Sequence, residues 1–61
     1  MRITVIGCGR WGSFLAWYAD RQGHCVSLYG RENSAHMRML AQTRTNGLVT
    51  LSDRVMLTTA L

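Results

Sequence analysis

The residues best suited to chemistry in this 61-residue chain are Gly7-Cys8-Gly9-Arg10-Trp11-Gly12. They follow the apolar run Ile3-Thr4-Val5-Ile6 and open a helical pattern, the setting in which a G-x-G-x-x-G spacing binds a dinucleotide. Each glycine has a separate task. Without a Cβ, Gly7 lets the chain leave the strand at angles that other residues resist. Gly9 leaves the backbone bare where a pyrophosphate approaches, and Gly12 lets the helix close on the strand. The helix start then turns unpaired N–H groups and a partial positive charge toward the phosphates. Arg10 and Trp11, in the same loop, complete this set of cofactor-binding candidates, with Trp11 placed to line the cleft. The competing reading is a Gly-rich turn that holds no ligand.

One more cofactor-binding candidate, Arg31, stands where the second strand should end, in Gly30-Arg31-Glu32. At this place an acidic residue bonds the ribose 2′-hydroxyl of NAD, whereas an arginine accommodates the 2′-phosphate of NADP. A guanidinium meets a phosphate through paired, charge-assisted hydrogen bonds. NADP(H) is therefore the expected cofactor, with NAD(H) left open through Glu32. Stacking of Arg31 on the adenine, or plain solvent exposure, are the alternatives.

Other chemistries find little support. The seven arginines at positions 2, 10, 21, 31, 38, 44 and 54 give a formal charge of +4, but they are spread along the chain. Dispersed charge makes no footprint along a phosphate backbone, so no nucleic-acid partner is expected. The longest apolar run, Phe14 to Ala19, is far below the roughly 18 residues of a membrane span, and no membrane insertion is expected. Cys8 and Cys25 have no CxxC spacing, which argues against metal and disulfide alike and for a reducing, cytoplasmic setting. A redox-sensitive thiol is the minor reading of Cys8. His24 and His36 read as structural and solvent-facing. No catalytic residue and no metal ligand is assigned.

The elements that must position these residues follow from periodicity. Arg2 to Ile6 reads as a buried parallel strand, and Arg10 to about Gln22 as a helix ended by Gly23. In that helix Trp11, Leu15 and Tyr18, with Ala16 and Ala19, recur at helical spacing. Phe14, Trp17 and Tyr18 are expected as core and subunit-contact residues, which leaves a homodimer open. Cys25 to Tyr29 is the second strand. Asn33 or Ser34 should cap a helix to about Gln42, with Met37, Leu40 and Ala41 as its apolar side. Gly47 breaks the pattern, and a short extended segment over Leu48 to Leu51 is expected. Ser52-Asp53-Arg54 is turn-like, Val55 to Thr58 is a third strand, and Thr59-Ala60-Leu61 leaves it. The fold class is α/β: a Rossmann-type dinucleotide-binding βαβ half, with a parallel sheet and flanking helices, as part of an incomplete domain.

With these residues in view, the chain resembles the N-terminal portion of bacterial NAD(P)-dependent glycerol-3-phosphate dehydrogenases. The match runs through Ile3 to Gly12, Gly23-His24, Leu28-Tyr29-Gly30-Arg31, Asn46 to Leu51, Asp53, Val55 and Thr58 to Leu61. Cys8 stands where a small alanine is common, and positions 52 and 60 carry Ser and Ala where Pro and Asp are frequent. The resemblance implies hydride transfer between sn-glycerol 3-phosphate and dihydroxyacetone phosphate, supplying glycerophospholipid synthesis. It also implies a proton-donating lysine on a later helical domain, whereas this chain has no lysine. Residues 1–61 are thus expected to be the N-terminal part of an NAD(P)-binding Rossmann domain, inactive alone, with the rest of that domain and the helical substrate domain absent. Ketopantoate reductase and a non-catalytic nucleotide-binding module are the alternatives.

Overall fold

A computed structural model describes residues 1–60. In chain order these form β1 (Arg2–Ile6), α1 (Arg10–Arg21), β2 (Cys25–Tyr29), α2 (Ala35–Thr43) and β3 (Met56–Thr58). The three strands make one parallel sheet in the order β1-β2-β3. Two crossovers, each through a helix, join them, as parallel neighbours require. The expected α/β fold with a βαβ half is what the chain adopts.

Pairing in register aligns Ile3 with Val26, Val5 with Leu28, and Leu28 with Leu57. Side chains alternate across a strand, so these residues share one face. On that face Val26 and Leu28 are buried with Ala16, Met37, Leu40, Leu51 and Val55, while Val5, Trp17, Ala19 and Leu57 pack around them. The helix ends follow from local chemistry. The Ser34 hydroxyl accepts from the Met37 N–H at 3.3 Å and caps α2. At the end of α1, Gly23 N–H donates to Asp20 O and His24 N–H to Ala19 O, closing the helix with a Schellman pair.

Several expectations are corrected. Among the described residues only β2 has a strand on both sides, so β1 alternates between exposed and half-buried rather than being buried. In α1 the core face consists of Ser13, Ala16 and Asp20, whereas Trp11, Phe14, Leu15 and Tyr18 face outward. A helix laid closely on a sheet needs small residues at the contact, and this excludes the bulky ones. Trp17 alone of the expected core aromatics packs against the core. Ala41, expected on the apolar side of α2, is exposed. The segment expected to be extended over 48–51 pairs only through one antiparallel bridge between Thr45 and Thr50, and the Asn46 side chain accepts from Leu48 and Val49 N–H inside the loop. Val55 is a buried lead-in to β3 rather than its first residue. Leu61 lies outside the described residues.

A polar clasp fixes the path into β3. Asp20, buried on α1, accepts from Arg54 Nε at 3.1 Å, Arg54 Nη2 at 3.2 Å and Ser52 Oγ at 2.8 Å. The Arg54 guanidinium is the main cause that holds the Asp20 carboxyl below its ordinary pKa; burial opposes this and the Ser52 hydroxyl assists. Arg44, in the left-handed region at φ 63°, donates to the carbonyls of Ser52 and Val55 and so joins the end of α2 to the same segment.

Two outcomes follow. Leu40→Ala should cost about 2–5 kcal/mol of unfolding free energy in chemical denaturation, because it empties a fully buried site. A carboxylate with a lowered folded-state pKa contributes its full stability above the unfolded value of about 4 and loses it as pH falls through the folded value. Asp20→Asn should therefore lower the melting temperature at neutral pH and flatten its decline below about pH 4, where wild type loses the same clasp.

Candidate functional site

The glycine loop lies at the C-terminal ends of the parallel strands, where open α/β sheets bind ligands. Gly7 takes φ +109° and donates its N–H to Tyr29 O at 2.8 Å, so the chain turns off β1 while still tied to β2. Gly12 sits directly against that turn. A Cβ placed on it would lie 1.7 Å from Gly7 O and 2.8 Å from the Gly7 carbonyl carbon. The start of α1 can approach β1 this closely only with glycine at position 12.

Gly9 caps α1 in an extended conformation without any side-chain cap, and a Cβ there would meet nothing within 4 Å. The first helical bond runs from Ser13 N–H to Gly9 O at 2.9 Å. The N–H groups of Arg10, Trp11 and Gly12 thus have no acceptor within the helix. The first turn contains no acidic residue, and Arg10, exposed, is its first residue. Bare backbone, free N–H groups and an arginine together suit a diphosphate. Ser13, itself buried, holds the loop by donating its hydroxyl to Cys8 O at 3.0 Å.

The tip of β2 packs against this loop. Gly30 is buried, and a Cβ on it would fall 2.5 Å from Cys8 Sγ and 2.6 Å from Met37 Cε. Gly30 N–H donates to Thr58 O at 3.0 Å, and Cys8 Sγ and Ser34 Oγ are hydrogen-bonded at 3.3 Å. Arg31, one residue beyond Gly30, is exposed, and its carbonyl accepts from Ser34 N–H. The structure therefore groups Gly7, Gly9, Arg10, Trp11 and Gly12 with the turn that carries Arg31. Trp11 projects onto the outer side of α1 and fronts a concavity of about 300 Å³ with Arg10, Phe14, Asn46, Leu48 and Val49.

Sequence reasoning missed Gly30, Ser13 and the packing role of Cys8. A glycine between an aromatic strand end and an arginine was the available signal for the first. The other two depend on contacts between distant segments. His24 and Cys25 lie at the opposite end of β2 from the glycine loop, and both cysteines are free. Among the described residues no three His, Cys, Asp or Glu side chains gather, and no helix is long and apolar enough to cross a membrane.

Two glycine substitutions separate packing from binding. Gly12→Ala should destabilise the fold by about 1–3 kcal/mol in denaturant titration, since backbone must move to admit the methyl group. Gly9→Ala should cost no more than about 1 kcal/mol of stability, the range of a cap change, while weakening dinucleotide binding measured by calorimetry.

Comparison with known proteins is in keeping with this geometry. The profile of a family described as the NAD-dependent glycerol-3-phosphate dehydrogenase N-terminus matches residues 2–61. A glycerol-3-phosphate dehydrogenase [NAD(P)+] of Bradyrhizobium diazoefficiens is 46% identical over 44 residues, which are 72% of this chain and 13% of that protein. Its namesake in Neisseria meningitidis serogroup C is 44% identical over 46 residues, 75% of this chain and 14% of the relative. That of Thioalkalivibrio sulfidiphilus is 43% identical over 44 residues, 72% of this chain and 13% of the relative. The chain thus aligns with about one seventh of the length of these relatives. No solved structure matches it.

Proposed function

The chain belongs to the NAD-dependent glycerol-3-phosphate dehydrogenase N-terminal family, and from that premise we propose that it is the dinucleotide-holding part of an NAD(P)-dependent glycerol-3-phosphate dehydrogenase. The observation that carries this reading is the uncapped, acid-free start of α1, pressed on β1 through Gly12. Its N–H groups at Arg10, Trp11 and Gly12 hold the pyrophosphate, and Gly9 keeps the approach clear. Arg10 adds positive charge, and Trp11 forms the wall beside the loop. A nicotinamide dinucleotide held by these residues would supply hydride chemistry for the interconversion of dihydroxyacetone phosphate and sn-glycerol 3-phosphate. The 61 residues contain no lysine, so the proton donor expected for the ketone comes from elsewhere in the protein.

In this reading residues 1–61 are the N-terminal part of the Rossmann domain, and the substrate domain follows. Two free cysteines support a reducing, cytoplasmic location. The dispersed arginines favour a small anionic cofactor over a nucleic acid. Arg31 gives the site its preference: exposed at the tip of β2, it is free to pair with a 2′-phosphate.

Arg31→Ala, made in the protein that carries this chain, should weaken NADPH binding about 10–100-fold, the worth of one charged hydrogen-bonded contact. NADH affinity should stay nearly unchanged. Equal losses for both cofactors in calorimetric titrations would remove the 2′-phosphate role. The activity itself is tested by oxidation of NADPH on addition of dihydroxyacetone phosphate, with ketopantoate as the control substrate.

A further inference from the structure

Arg31, Glu32 and Asn33 are all exposed, so packing does little to fix the turn that follows β2. The residue that ties it down is Ser34. Its N–H donates to Arg31 O at 3.0 Å and closes the turn. Its hydroxyl accepts from Met37 N–H, and its carbonyl accepts from Arg38 N–H at 3.1 Å, which starts α2. The same hydroxyl lies 3.3 Å from Cys8 Sγ in the glycine loop. Every polar group of Ser34 is thus engaged, and one of them reaches across to the diphosphate end of the site.

The Cys8 end of this contact is equally fixed. Its carbonyl accepts from the buried Ser13 hydroxyl at 3.0 Å, and a Cβ on Gly30 would fall 2.5 Å from its sulfur. A chain of contacts therefore runs from α1 through Ser13, Cys8 and Ser34 to the Arg31 carbonyl. Gly30 N–H, bonded to Thr58 O, anchors the other side of the turn. Capping alone does not account for the sulfur contact, since Ser34 bonded to Met37 N–H would cap α2 with any small residue at position 8. What the contact fixes is the place of the turn relative to the glycine loop. Arg31 and Glu32 are neighbours with opposite preferences: a guanidinium suits a 2′-phosphate, whereas a carboxylate suits a free 2′-hydroxyl and repels the phosphate. A turn free to swing would offer either one to the ribose.

We propose that Ser34, acting through Cys8, is a specificity-determining positioning residue. It holds the 31–34 turn at a fixed span from the glycine loop, so that Arg31 and not Glu32 meets the adenosine ribose. This rests on the reading of Arg31 as the 2′-phosphate contact. NADPH is gripped at two points, its diphosphate and its 2′-phosphate, and the span between them must match. NADH is gripped at the diphosphate and is indifferent to that span. Ordering the turn in advance therefore favours NADPH, because less freedom is lost when it binds.

The ratio of NADPH to NADH affinity in the complete protein carrying this chain, from calorimetric titration of both cofactors, tests this. Cys8→Ala leaves the Ser34 cap in place and removes the sulfur; it should lower the ratio about threefold to tenfold, the worth of one hydrogen bond. Cys8→Ser returns a hydroxyl to the same place and should restore the ratio to within about twofold. Ser34→Ala cuts the contact from the other side, so it reads the same effect even where a change at Cys8 impairs folding. It should lower the ratio as much, and the double variant should go no further, because both changes remove one contact. An unchanged ratio in the single variants overturns the proposal. Equal losses for the two cofactors overturn it as well, since the contact would then support the loop alone. Arg31→Ala tells the two readings apart. If it lowers the ratio while Cys8→Ala and Ser34→Ala do not, this proposal falls and the 2′-phosphate contact stands; if it weakens both cofactors equally, both fall.

Discussion

The contact between Gly12 and the carbonyl of Gly7 sets the geometry of everything around it. No side chain fits there, since even a Cβ would overlap the oxygen. The first turn of α1 is therefore seated on the end of β1, and its free N–H groups point out over the strand ends. Had the helix stood further off, the same sequence would still form a helix, but its positive end would not overhang the place where ligands meet the sheet. Gly30 repeats the constraint on the neighbouring strand: its missing side chain admits Cys8 and Met37, and the turn that carries Arg31 is drawn against the glycine loop.

The opposite end of the unit is held by polar contacts rather than by close approach. Asp20 on α1 receives Ser52 and Arg54, and Arg44 at the end of α2 donates to Ser52 and Val55. These contacts fix the long path from α2 to β3, which has little regular structure. Glycine packing thus shapes the end that carries the glycine loop, and charged hydrogen bonds shape the far end. The sheet between them is buried on the helix-covered side through Val26 and Leu28.

Strand, helix and turn periodicity made the fold legible, because β-branched runs and helical spacing encode local structure directly. The Gly7 to Gly12 loop and the position of Arg31 at a strand end were legible for the same reason. The facing of α1 was not. Hydrophobicity alone turns Trp11, Leu15 and Tyr18 inward, whereas the close seating of α1 through Gly12 buries Ser13, Ala16 and Asp20, with Trp17 and Ala19 packed beside them. The Asp20 clasp and the Cys8–Ser34 contact join residues 26 or more positions apart, and no local pattern announces such pairs. The place of β1 at the sheet edge is likewise a property of strand order, which its own five residues do not encode.

The central claim is that the start of α1 holds the pyrophosphate of a nicotinamide dinucleotide. It is tested most directly by a crystal structure of the protein carrying this chain in complex with NADP(H). The account predicts diphosphate oxygens within hydrogen-bond distance of the N–H groups of Arg10, Trp11 and Gly12, and the 2′-phosphate against the Arg31 guanidinium. A diphosphate seated away from the glycine loop would contradict it.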